Sequence, residues 1–367
     1  MKIHNTLFLI FICAVQLNFG QEKKSYQLSD FYSDNPLLDN KVDSIYNSLS
    51  EQQRIAQMII SCTGELGKPK ATVEKLVKEG IIGGVVFLKG SKQQHKNTID
   101  DLNQIVTNQK SVPLLYSMDA EPSLITGRIK GMPNVGQTID IKNFTQSDSI
   151  VSIINNELKD IGIHHNFAPV LDISPDNEAI KSRSYGNNRD SVINLANRFI
   201  KCSQAGGIIA TAKHFPGHGL VAGDTHKQSV YIDGPLQEVD NYYPVIEDGV
   251  LSVMIAHITV KNNETFGTNG LPASCSRRIV TDLLKDGMCF KGVVVSDALN
   301  IMKAVTILDN APLLASKAGC DMVLMPQDEK GTLNSILAEM QIDETYALQV
   351  EKSVKKILRL KVCAGLL

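Results

Sequence analysis

Short runs of apolar and β-branched residues recur along the chain, with polar, helix-periodic stretches between them. The runs are QMIIS (57–61), GGVVFLK (83–89), PLLYSMD (113–119), HHNFAPVLDIS (164–174), GIIATAKHF (207–215), SVMIAHITV (252–260), KGVVVSDA (291–298) and DMVLM (321–325). Between them, SDSIVSIINNELKDIG (147–162), DSVINLANRFIKCSQAG (190–206) and PLLASKAG (312–319) carry the spacing of amphipathic helices. Strands that are apolar on both faces belong to parallel sheets covered by helices. Eight of them alternating with helices predict an α/β fold, a single (β/α)8 TIM-type barrel. An open doubly wound sheet would satisfy the same alternation. The polar residues favour the barrel: Asp119, Asp172, His214, His257 and Asp297 all fall at or just past the C-terminal ends of their runs. In a barrel those ends converge on one mouth.

The two ends of the chain read differently. Residues 1–20 have a lysine at position 2, an apolar core from Leu7 to Leu17 and a small residue at Gly20. That is the layout of a secretory signal peptide, and the apolar run is short for a membrane span. It predicts cleavage near Gly20, export to the periplasm or medium, and no membrane insertion afterwards. Residues 21–50 are polar, with Asn35 and Pro36 as breakers, and predict a surface extension. The barrel is then expected over 51–367, closing with a helical tail, ETYALQVEKSVKKILRLKV, and no second catalytic domain.

Composition adds exclusions. A net charge of −2 with 43% hydrophobic and 21% charged residues is that of an ordinary globular protein. It argues against disorder and against a nucleic-acid partner. Six cysteines follow the signal segment, none in a CxxC pair. In a domain this large they read mostly as small buried apolar residues.

The densest chemistry lies in KHFPGHGLVAGDTH (213–226), which holds three of the chain's eight histidines. His214 and His218 have the four-residue spacing of paired metal ligands on a helix. Pro216, Gly217 and Gly219 break any helix there, and the segment follows a strand. A zinc site assembled from His214, His226, His257 and Asp297 would have no spacing to support it. Asp224 and His226, two residues apart, can share a side of an extended segment, so the carboxylate could orient the imidazole. A solvated loop would read the same. Asp297 leaves an apolar strand directly, as a nucleophile or general base at a barrel mouth would. With Ser296 it could equally cap the next helix.

Together these segments resemble glycoside hydrolase family 3, in its single-domain β-N-acetylglucosaminidase form. KHFPGHG followed by D-T-H, SDAL after a later strand, NFAPVLDIS with RSYG (183–186), and VMIAHI (253–258) occur in the family's order over about residues 50 to 330. The resemblance implies a retaining exo-β-N-acetylglucosaminidase acting on oligosaccharides or peptidoglycan fragments, with no metal and no cofactor. It implies Asp297 as nucleophile and His226, partnered by Asp224, as acid/base. It further implies Asp119, Arg183, Lys213 and His214 as sugar-binding residues, with His218, His257 and Asp172 bracing the site. An imidazole can donate and accept a proton near neutrality without a raised carboxyl pKa.

The chain departs from the family at one turn. Where D-x-E-G-G-x-x-x-R is usual, it reads DAEPSLITGR, with Pro122 and Ser123 in place of glycines and Arg128 one place late. This puts the edge of the sugar pocket in question. A β-glucosidase, a phosphorylase using phosphate as acceptor, and a sugar-binding barrel without activity are the alternatives. Oligomeric state is not legible.

Overall fold

In the computed structural model, residues 26–174, 177–221 and 230–367 are described. Eight parallel strands form one sheet: β1 (Ile59–Thr63), β2 (Gly84–Phe87), β3 (Leu115–Met118), β4 (His165–Asn166), β5 (Ile209–Phe215), β6 (Ser252–Ile255), β7 (Val293–Ser296) and β8 (Val323–Leu324). From β1 to β7 each pairs with the next in sequence, and β1 pairs with β8. A parallel bridge between Val295 and Met322 joins β7 to the run that enters β8. The sheet is therefore a nearly closed barrel rather than an open doubly wound sheet.

All eight apolar runs carry a strand, because each strand is covered inside and out. Every residue of β1, β2, β3, β6 and β7 is buried. The fourth run is the exception in length. Only His165 and Asn166 of 164–174 are ladder residues, since Pro169 has no N–H to donate. The run still follows β5, with Thr211 N–H donating to Ala168 O and Leu171 N–H to Lys213 O.

The helices expected from periodicity form over Phe144–Ile161, Arg189–Ala205 and Ala311–Ala318. Residues 26–50 are not a loose extension. Asn35 accepts the Leu37 and Leu38 N–H groups and Pro36 takes the first helical position, so the pair read as breakers starts helix α1 (Pro36–Ser48). Leu38, Val42 and Tyr46 are its buried face, and it packs on the terminal helix α2 (Glu344–Cys363). Lys361 of α2 closes the N-terminal end of the barrel. Fully buried, its Nζ donates to Gln57 Oε1, Gly83 O and Pro113 O at 2.7, 2.9 and 2.7 Å.

The six described cysteines are free thiols, with Cys62, Cys275, Cys320 and Cys363 buried, Cys202 half-buried and Cys289 exposed. Among the described residues no helix is long and apolar enough to cross a membrane. The signal-peptide segment lies outside the described residues.

Candidate active site

Strands β3, β5 and β7 end in polar residues at one mouth of the barrel. From β3 come Asp119 and, two residues on, Glu121. From β5 come Lys213 and His214, joined by a cis peptide bond. From β7 comes Asp297, whose N–H continues the ladder by donating to Ile255 O at 2.9 Å. Arg183 arrives on a single helical turn, Lys181–Arg183, after β4.

The β3 and β5 residues meet in a network of charges. Lys213 is buried, and its Nζ lies 2.8 Å from Asp119 Oδ1 and 2.6 Å from Glu121 Oε1. Arg183 grips Glu121 with both arms of its fork, Nε to Oε2 at 2.9 Å and Nη2 to Oε1 at 2.7 Å. Arg128 Nη2 donates to Asp119 Oδ2 at 3.1 Å. Burial alone would raise both carboxyls, but the surrounding cations reverse this. Lys213 and Arg128 hold Asp119 well below the usual carboxylate range, and Arg183 and Lys213 hold Glu121 at about 2. Three cations against two carboxylates leave one positive charge in excess. Such a cluster presents donors and acceptors fixed in place, suited to the hydroxyl and amide groups of a neutral sugar.

Glu121 is the residue that sequence reasoning passed over, though DAE was on the page. Leaving the strand in extended form, positions 119 and 121 share a side, and that spacing was the available signal.

The departing turn is accommodated. Ser123 Oγ donates to Ser182 O at 2.7 Å and accepts the Thr138 N–H at 2.9 Å, so the serine ties the turn to the residue before Arg183. Arg128, one place late, still reaches Asp119 from the four-residue helix Ile125–Arg128.

His214 is held at both nitrogens. Nδ1 lies 2.7 Å from Asp172 Oδ2, and Nε2 lies 3.3 Å from Arg183 Nη2. A carboxylate at Nδ1 and a guanidinium at Nε2 orient the ring with a proton on Nδ1 facing Asp172. Asp172, fully buried, also accepts the backbone N–H groups of His214 and His218. Among the described residues no group of three or more His, Cys, Asp or Glu side chains is placed to hold a metal ion.

Asp297 is half-buried, and its Oδ1 accepts the Ala298 N–H at 2.7 Å. Burial opposes its charge, yet the Ala298 N–H and the Lys213 ammonium favour the carboxylate and its pKa lies below the ordinary value, so it stands ionised beside the Lys213 cluster. It caps no helix: the next one, Lys303–Thr306, starts six residues on and has Met302 at its cap. Ser296 also has another task, since its Oγ accepts the Leu324 N–H and joins β7 to β8. Behind Asp297, buried His257 accepts from Ser274 at Nδ1 (2.7 Å) and donates from Nε2 to Ala298 O at 3.1 Å. Burial lowers its pKa, consistent with a neutral ring. Asp224 and His226, the expected proton-transfer pair, lie outside the described residues.

One further carboxylate was not foreseen. Glu238, 4% exposed, accepts the backbone N–H groups of Ile173, Gly219 and Leu220 at 2.6, 2.9 and 3.1 Å. Burial and the nearby Asp172 push it up to about 8.

Comparison with known proteins agrees with this architecture. The chain is 26% identical over 303 residues to a β-N-acetylglucosaminidase/β-glucosidase of Cellulomonas fimi, covering 78% of the chain but spanning only 53% of that protein's length. It is 27% identical over 282 residues to a β-hexosaminidase of Photobacterium profundum, covering 72% of the chain and 81% of the relative. A solved family 3 β-N-acetylglucosaminidase from a Paenibacillus strain superposes with a TM-score of 0.78 at 28% identity, over 87% of this chain and 63% of that one. The model of the glycosyl hydrolase family 3 N terminal domain matches residues 50–360, which takes in every barrel strand and the whole site. The chain belongs to glycosyl hydrolase family 3.

Proposed function

We propose that the protein is a retaining exo-β-N-acetylglucosaminidase, exported from the cell, that removes terminal N-acetylglucosamine from oligosaccharides or peptidoglycan fragments. The observation that carries the reading is the ionised Asp297 carboxylate at the end of β7, electrostatically coupled to Lys213 across the mouth.

In this reading Asp297 attacks the anomeric carbon as the glycosidic C–O bond breaks. His226, oriented by Asp224, protonates the departing oxygen. The same imidazole then takes a proton from water, which displaces Asp297 and releases the sugar with its original β configuration. The Asp119, Glu121, Lys213 and Arg183 cluster orients the hydroxyl and N-acetyl groups. The names borne by the Photobacterium and Paenibacillus relatives favour the N-acetylated substrate.

The test is hydrolysis of an aryl N-acetyl-β-glucosaminide by wild type and Asp297→Ala, each with and without phosphate and with a chelator. Activity in wild type only, indifferent to chelator and unchanged by phosphate, is expected. Equal activity in both proteins refutes the nucleophile assignment. Sugar 1-phosphate as product would make the enzyme a phosphorylase, and binding without turnover in wild type would make it a sugar-binding barrel.

A further inference from the structure

From His214, near the end of β5, to Val221 the chain runs past two buried carboxylates. Asp172 accepts N–H groups at His214 and His218, and Glu238 accepts them at Gly219 and Leu220. Glu238 uses its two oxygens separately. Oε1 takes the Ile173 N–H beside Asp172, and Oε2 takes both loop N–H groups.

The chain fits between these groups only because it is glycine-rich there. A Cβ on Gly217 would lie 2.4 Å from Glu238 Cβ, and one on Gly219 would lie 1.9 Å from Ile173 O. Gly217 also has a φ of +126°, a backbone state that other residues rarely adopt. Among the described residues no cation is paired with Glu238. A buried carboxyl costs desolvation free energy in either protonation state, and the three backbone N–H groups it accepts offset only part of that. The group is best explained by the three backbone N–H groups that it holds in place.

We propose that Glu238 is a positioning residue for proton transfer. By fixing Gly219 and Leu220 against Ile173, it sets the point from which the chain leaves toward Asp224, four residues on, and His226. It touches no substrate, and it acts through the acid/base pair. The inference rests on the assignment of His226 as acid/base.

Protonation of the leaving oxygen matters for poor leaving groups and little for good ones. The experiment therefore measures kcat/KM for wild type, Glu238→Gln, Glu238→Ala and His226→Ala on dinitrophenyl and methyl N-acetyl-β-glucosaminides, with thermal midpoints recorded for each protein. With Glu238→Ala, the methyl glycoside should lose on the order of tenfold or more in kcat/KM while the dinitrophenyl glycoside stays within roughly twofold of wild type. Glu238→Gln keeps one acceptor oxygen and should fall between, which serves if the alanine variant does not fold. Equal losses on both substrates, or none on either, overturn the positioning role while leaving the His226 assignment intact, provided His226→Ala shows the leaving-group dependence. If His226→Ala lacks that dependence, the acid/base assignment itself fails and takes the inference with it.

Discussion

Lys213 and Glu121 form an ion pair of 2.6 Å with both side chains about 1% exposed, at the point where β3 and β5 deliver their last residues to the mouth. The pair is the centre of the cluster: Asp119 lies on the lysine's other side, and Arg183 on the glutamate's.

Removing one member of a buried pair strands the other. With Glu121→Ala, Lys213, Arg183 and Arg128 would face Asp119 alone. Urea unfolding should show a loss of about 3–5 kcal/mol at neutral pH. A loss under about 1 kcal/mol would mean that water reaches the cluster and screens it.

The acid side of the stability profile follows from the same residue. Glu121 titrates at about 2 in the folded protein against an ordinary value of 4.5. Its contribution is complete above the ordinary value and is lost as pH falls through the folded one. Wild type should therefore weaken between about pH 4.5 and 2. Glu121→Gln, weaker at pH 7, should show a shallower decline over that range in chemical unfolding.

Glu238 predicts the opposite slope. Held at about 8 rather than 4.5, it keeps a proton when folded that the unfolded chain has released. Its contribution to stability must fall as pH rises between those values. Asp172 and Tyr242 are titratable groups that face it. The difference in stability between Glu238→Gln and wild type should shift in the variant's favour from pH 5 to pH 8. A constant difference would show that the carboxyl is ionised throughout.

Lys361 at the opposite end of the barrel titrates at about 7, lowered from 10.5 by burial. Between those values the unfolded chain binds a proton that the folded one does not, so this group adds stability as pH rises. Lys361→Met should remove that rise. It should also cost about 1–3 kcal/mol at high pH, by leaving Gln57, Gly83 and Pro113 oxygens without a donor. Unfolding at pH 7 and pH 9 distinguishes the two effects.

Ser123 links the departing turn to the Arg183 segment. Ser123→Ala removes the bonds to Ser182 and Thr138 and should destabilise the fold by about 1 kcal/mol. If the turn positions Arg183 for sugar binding, KM should rise several-fold with kcat little changed. An unchanged KM would make the serine purely structural.

Much of the fold is legible in the sequence because burial on both faces writes parallel strands as apolar runs. VVVS, SVMI and GVVF could be read directly, and so could the residues that follow them to the mouth. Asn35-Pro36 was misread because the same two residues stop one helix and start another. What decides is whether Leu38, Val42 and Tyr46 find a partner, and α2 supplies it from the far end of the chain. The fourth run forms a shorter strand than its apolar length predicts, because Pro169 has no N–H to give to the ladder.

The succession of strands along the chain, the polar residues at their ends and the family motifs were thus determined by the sequence alone, since each depends on local pattern. Tertiary structure decided which charges meet. Glu121 acquires its role from Lys213 and Arg183, ninety-two and sixty-two residues further on. Glu238 acquires its role from backbone N–H groups, which every residue except proline carries and which no sequence pattern can single out. Side-chain chemistry is written residue by residue, whereas burial and pairing are properties of the closed barrel.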